Sequence, residues 1–221
     1  MAAQRQQDRS KATRATLIAT ARRLFAERGY AGVPAGEIVA EAGLTRGALY
    51  HHFQDKQGLF KAVFLELETE VAEEIRAAMA VAAEPAGAAL GTFLTACERP
   101  EMIQIGLIDA PAVLGWQTWR EIESEHGLGL ITEFLREASE AGELVTTAVD
   151  VLAKLLLSAL IEAALVIANA QDRAAARQQA FEALLALFAG LADHEAHRSL
   201  LGLFAGAATQ PPPGDGEPNP T

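Results

Sequence analysis

Apolar side chains recur along this chain at the three- and four-residue spacing of one helix face, and almost nowhere at the two-residue spacing of a strand. Leu17, Ile18, Ala21, Leu24 and Phe25 predict a first helix over about Ser10–Arg28, stopped by Gly29. A second helix is predicted from near Pro34, with Ile38 and Val39 inward, ending at Gly43. Thr45 caps a third, short helix that runs to about Phe53. Asp55 caps a fourth, reaching about Ala83, with a stripe of Leu59, Phe60, Val63, Phe64, Leu67, Val71 and Ile75.

Beyond it, Pro85 and Gly87 restart the chain, and Pro100 opens a segment carrying Met102, Ile103, Ile105 and Leu107. Pro111 is read as part of a link. A longer segment follows with Trp116, Trp119, Ile122, Leu130, Phe134 and Leu135, where Gly127 and Gly129 argue against one unbroken helix, and Gly142 ends it. Thr147 and Asp150 have the spacing of a capping box for an almost wholly apolar helix near 148–170. Asp172 caps a last helix near 174–192, with Phe181, Leu184, Leu185, Phe188 and Leu191 as its stripe. The sequence thus predicts an all-α chain. Its expected parts are a flexible arm (1–9), a helix-turn-helix domain (10–56), a larger helical domain (57–204) and a proline-rich disordered tail (205–221).

Composition agrees: Ala and Leu dominate, and half of the 221 residues are hydrophobic. The polar N-terminus gives no sign of a secretion signal. Asp150, Lys154 and Glu162 interrupt the most apolar segment, so no membrane span is expected and a cytoplasmic location is the default. Cys97 is the single cysteine, which leaves no intrachain disulfide and no cysteine-based metal cluster. The net charge of −11 argues at first against nucleic acid, but it is unevenly spread. Residues 1–62 hold ten Lys/Arg against five Asp/Glu, a net +5, while residues 63–221 hold eight against twenty-four, a net −16. A basic head on an acidic body suits a protein that meets phosphate at one end.

The chemistry concentrates in Leu44–Leu59. A step of about 100° per residue puts Leu49 and Phe53 on one side of the third helix and Gly47, Tyr50 and His51 on the other. Thr45 and Arg46 lie in its first turn, where a recognition helix meets base edges, and Arg46 suits guanine. Tyr50 and His51 are short-reach donors for phosphate oxygens, and Lys56 joins its charge to the free N–H groups of the next helix. His51 and His52 point apart and do not form a chelate, so no metal is expected. No catalytic arrangement can be placed and no cofactor is implied, so the chain is not expected to be an enzyme.

Residues 14–64 resemble the DNA-binding domain of the TetR family of bacterial transcriptional regulators. The resemblance runs through Ala-Arg-Arg-Leu-Phe-Ala-Glu-Arg-Gly-Tyr (21–30), Ile-Val-Ala-Glu-Ala-Gly-Leu-Thr-Arg-Gly-Ala-Leu-Tyr-His-His-Phe (38–53), and Lys56 with Leu59-Phe60. It implies a homodimeric regulator, usually a repressor, that binds a palindromic double-stranded operator and is released by a small-molecule effector. Thr45, Arg46 and Gly47 would then approach bases, while Tyr50, His51 and Lys56 would hold phosphates. The chain departs from the family where a hydroxyl residue usually opens the second helix, since Gly32–Glu37 contains none. The alternative is therefore a small-molecule-binding helical protein with weakened or lost DNA binding. An effector pocket would draw on Phe93, Cys97, Met102, Ile105, Trp116, Trp119, Phe134 and Leu160. The helix near 148–170 is too apolar to be a surface helix, and with 174–192 it could form a four-helix dimer interface.

Overall fold

A computed structural model of the chain describes residues 1–144 and 148–192, and these are helical, with no strand among them. The helices are α1 (Ala2–Arg28), α2 (Ala35–Glu41), α3 (Arg46–Phe53), α4 (Lys56–Val81) and α5 (Pro85–Cys97). A π-helical segment, Met102–Asp109, then leads directly into α6 (Ala110–Leu114). The series closes with α7 (Trp116–Glu140), α8 (Val149–Asn169) and α9 (Arg173–Ala192). The expected tail and Thr147 lie outside the described residues.

α1 starts at Ala2, eight residues before the expected Ser10, so the helix also takes in residues 2–9. The physical reason is local: the segment has no Gly or Pro, its Gln and Arg residues are good helix formers, and Gln4 donates to Asp8 one turn on. α7 also departs from expectation by running unbroken through Gly127 and Gly129. A Cβ at Gly127 would come within 3.0 Å of Leu157 Cδ1, so the glycine serves the packing of α8 onto α7. Pro111 lies in the first turn of α6, which continues the π-helical segment, and so belongs to a helical run and not to a link. The break falls at Gly115, whose φ is +83°.

α2 and α3 are joined by a tight turn in which Gly43 takes φ +66°, and Leu44 N–H returns to Val39 O at 2.8 Å. α3 meets α4 almost end to end. Asp55 caps α4 by accepting from Gly58 N–H at 2.7 Å, and a Cβ at Gly58 would fall 2.1 Å from Phe53 O. Only glycine permits that approach.

One core runs through both halves of the molecule. Leu17, Phe25, Ile38, Leu49 and Phe60 from the first four helices are contiguous with Phe64, Leu67, Ile105, Trp119 and Ile161. Each of these large side chains contributes about 1.5–3 kcal/mol by leaving water. Polar contacts reinforce the junction. The Arg22 guanidinium binds Glu70 through two bonds of 2.7 Å and Glu101 through bonds of 2.8 and 2.9 Å. These bonds raise the guanidinium's pKa, Glu101 first and Glu70 second, and the same contact lowers that of Glu101. Tyr30 N–H donates to Asp109 at 2.7 Å, and Gln57 donates to Val113 O at 2.7 Å. The π-helical segment and α6 are thus pinned directly to the N-terminal helices. α8 is long and apolar enough to span a bilayer by length and composition alone, yet Ala153, Leu156, Leu157, Ile161, Ala164, Ile167 and Ala168 are buried within the fold.

Candidate nucleic-acid interface and interior cavity

α3 has the two faces read from its wheel. Leu49 and Phe53 are buried, whereas Gly47, Tyr50 and His51 are exposed, Tyr50 by 55 %. Thr45 Oγ1 accepts from Ala48 N–H at 3.3 Å and so satisfies one of the free donors of the first turn. Among the described residues nothing requires glycine at 47: a Cβ there would meet only Thr45 Oγ1, at an ordinary 3.7 Å. Arg46 is exposed, and its guanidinium rests over the start of α2, where a Cβ at Gly36 would come within 3.0 Å of Nη2. It therefore sits at the edge of the outward face. His52 is partly shielded on the inner side, and burial, then His51 and Arg14, lower its pKa.

Lys56 is placed differently from the sequence reading. Its ammonium is half-buried and donates to Tyr30 O at 2.8 Å and Val33 O at 2.9 Å, lying 3.8 Å from the centre of the Tyr30 ring. Two of its three donors are thus engaged by the α1–α2 connection. Arg28 holds the same connection, donating to Gly32 O at 2.6 Å and pairing with Glu37. α2 begins at Pro34 without a side-chain cap, as the missing hydroxyl implied. Sequence reasoning missed Arg28, Tyr30 and Gly58 as supports of the α3 face. The signal available was a glycine in the first turn of α4, where helix propensity alone disfavours it.

The second feature is a cavity of about 130 Å³ between α4, α5, α7, α8 and α9. Of the expected lining residues, Phe93, Phe134 and Leu160 face it. Cys97, Met102, Ile105 and Trp119 do not: they are buried in the adjoining core, and Trp116 is 61 % exposed, ring against ring with Trp119. The π-helical segment explains part of the difference. Its bonds reach five residues back, as from Ala110 N–H to Ile105 O, so the 3.6-residue wheel does not describe where Met102 and Ile105 point. Cys97 is inert in this setting, since burial, and after it the charges of Glu123, Glu68 and Glu98, push its thiol pKa strongly up.

Three polar side chains that the sequence reading did not select also line the cavity: Glu68 from α4, and Glu123 and His126 from α7. Burial raises the Glu68 pKa well above the carboxylate range, and Glu123 adds to the effect. Burial lifts Glu123 to about 7, opposed by Arg120 and by the nearby Trp119 indole N–H. That N–H lacks the geometry of a full hydrogen bond. His126 Nδ1 lies 2.9 Å from Ile122 O, which directs Nε2 away from its own helix backbone.

Comparison with known proteins agrees with this layout. Residues 17–63 match the family described as bacterial regulatory proteins, tetR family, and residues 75–191 match the tetracyclin repressor-like C-terminal domain. The fold superposes with a TM-score of 0.71 on the crystal structure of a TetR-family transcriptional regulator from Pectobacterium atrosepticum, at 35% identity, over 84% of this chain and 97% of that one. The transcriptional regulator AcrR of Shigella flexneri is 37% identical over 71 residues, 32% of this chain and 33% of the relative. The transcriptional repressor AcnR of Corynebacterium glutamicum is 38% identical over 68 residues, 31% of this chain and 36% of the relative. The chain therefore matches only about a third of the length of these curated relatives. With both halves matched in order and a solved relative matched over nearly its whole length, the chain belongs to the TetR family of transcriptional regulators.

Proposed function

We propose that the protein is a ligand-released repressor that binds a palindromic operator as a homodimer. The observation that carries this is the outward face of α3. An exposed helix on the basic end of an acidic chain presents Arg46, Tyr50 and His51 around a glycine that no internal packing requires. A glycine there suits the close approach of a surface outside the protein, and a duplex groove is the surface a second helix of this motif enters. In this reading Thr45, Arg46 and Gly47 meet base edges, and Tyr50 and His51 hold phosphates. Lys56 acts mainly by fixing the α1–α2 connection beside them.

The dimer would form on α8 and α9. Val151, Leu155 and Val166 are 60, 63 and 51 % exposed and fall, with Ser158 and Glu162, along one side of α8 opposite its buried face. Leu185 and Leu187 are exposed on α9. Such surface on a chain of this size favours a partner of the same kind. Two-fold symmetry then sets the two α3 helices about 34 Å apart, or near a multiple of that spacing.

Release would travel through α4. Its N-terminal turn abuts α3, while Glu68, Val71, Ala72 and Ile75 line the cavity, about 18–28 Å along the same rod. A ligand that favours one tilt of α4 changes the spacing of the α3 pair, provided it binds the two tilts unequally.

Selection of duplexes from a random pool, followed by footprinting at low salt, tests the reading. The expected result is a protected palindrome with affinity that falls steeply as salt rises. Absence of any protection at low salt overturns it. The competing reading, a ligand-binding protein with weakened DNA contact, draws on the engaged Lys56 and the hydroxyl-free start of α2; it expects only shallow, sequence-independent binding.

A further inference from the structure

The cavity holds an electrostatic imbalance that its packing does not explain. Its wall is mainly apolar, with Val71, Leu90, Phe93, Phe134 and Leu157 among its residues, and those contributed by α8 and α9 carry no titratable group. Into this setting α4 sends Glu68 and α7 sends Glu123 and His126. Glu68 is only 8 % exposed and has neither a hydrogen-bond donor nor a cation against it among the described residues. The one basic chain acting on Glu123 is Arg120, which donates to Ser158 at 3.1 Å. His126 is held by its own backbone through Nδ1, and the other titratable neighbours, Cys97 at the end of α5 and Glu98 just after it, bring no positive charge. An unpaired buried carboxylate costs several kcal/mol, whereas an apolar residue of similar volume would fill the space at no such cost. Two acids from different helices thus face one mainly apolar cavity, and a bound cation would let both ionise.

We infer that this cavity is a receptor site for a small lipophilic ammonium ion, bound between Glu68 and Glu123 with its apolar body among the phenylalanines. The inference rests on reading the cavity as the effector site, and it names the chemical class of the effector. One ammonium has three donors, enough to bridge both carboxylates in charge-assisted hydrogen bonds. Such bonds strengthen where water is excluded. Phe93, Phe134 and Phe188 line the same space, and the face of an aromatic ring also attracts a cation. The volume of about 130 Å³ limits the apolar body to roughly one ring, since a cavity of about 150 Å³ accommodates benzene. An anion meets two acids, against which the lining sets one histidine, His126. A neutral molecule leaves the carboxyl pair without its counter-charge. Because an entering cation keeps both carboxyls ionised, binding displaces whatever proton the pair holds, and affinity rises as pH increases toward the Glu123 pKa of about 7.

Calorimetric titration of the full-length protein with benzylammonium, benzyl alcohol and benzoate tests the assignment. Benzylammonium is expected to bind at least about tenfold more tightly than benzyl alcohol, with benzoate showing no binding. Glu68→Gln and Glu123→Gln are each expected to erase the preference for the amine while retaining the alcohol. The comparison of the three probes on the unaltered protein stands even if either variant folds poorly. Equal binding of amine and alcohol, a preference for benzoate, or no binding of any of the three overturns the inference. None of these titrations involves DNA. Failed operator protection with intact amine binding would sink the repressor reading alone, and the reverse result would sink only the cation site.

Discussion

Gly47→Ala separates what the α3 face does inside the protein from what it does outside. The position is in the first turn of α3, its φ is not in the left-handed region, and a new Cβ would meet nothing closer than Thr45 Oγ1 at 3.7 Å. Replacing a helical glycine with alanine removes excess backbone freedom from the unfolded chain, so the fold should gain about 0.5–1 kcal/mol. If α3 lies against a base-pair edge, the same methyl group must be accommodated at the closest point of approach. Overpacking of a tight interface costs about 1–3 kcal/mol, which corresponds to roughly a 5- to 150-fold loss of operator affinity. Urea denaturation followed by tryptophan fluorescence measures the first quantity, and fluorescence anisotropy on the selected operator measures the second. A more stable protein with weaker DNA binding is the expected pair of results. Unchanged operator affinity would show that Gly47 does not face DNA, and a destabilised protein would refute the claim that no internal packing needs the glycine.

Lys56→Met should cost about 1–3 kcal/mol of stability, because Tyr30 O and Val33 O lose their partner; an unchanged urea midpoint would show that the ammonium does not hold that connection. Glu123 has a folded pKa raised to about 7 from its ordinary 4.5, so its protonated form favours the fold. Its contribution is complete below about pH 4.5 and lost as pH rises through about 7. Glu123→Gln should accordingly lose less stability than the parent between about pH 5 and pH 8, and equal losses would contradict the burial argument. Leu155→Glu combined with Val166→Glu should shift the protein toward monomer in analytical ultracentrifugation; a dimer of unaltered affinity would exclude this face of α8 from the interface.

The all-α class, the helix-turn-helix and the two faces of α3 were legible in the residues because each is a local property. Backbone hydrogen bonds four residues apart, the caps at Thr45 and Asp55, and the turn at Gly43 depend on neighbours a few positions away, and the sequence lists those directly. Phe93, Phe134 and Leu160 were found because large apolar residues must be buried somewhere, and in this fold they face the cavity. Cys97, Met102, Ile105 and Trp119 obey the same rule and face the core, a choice made by helix rotation and by the π-helical segment. Lys56 looked like a free cation because its one charged neighbour in sequence, Asp55, is the cap of α4. Its partners, Tyr30 O and Val33 O, lie 26 and 23 residues away. Glu68 and Glu123 looked like two of many surface acids until α4 and α7 packed side by side and turned both toward one space. The sequence alone therefore determined the helical class, most of the helices and which side of α3 faces out. Only the tertiary structure decided which charges meet and where space remains, since those depend on distances between segments that no local pattern encodes.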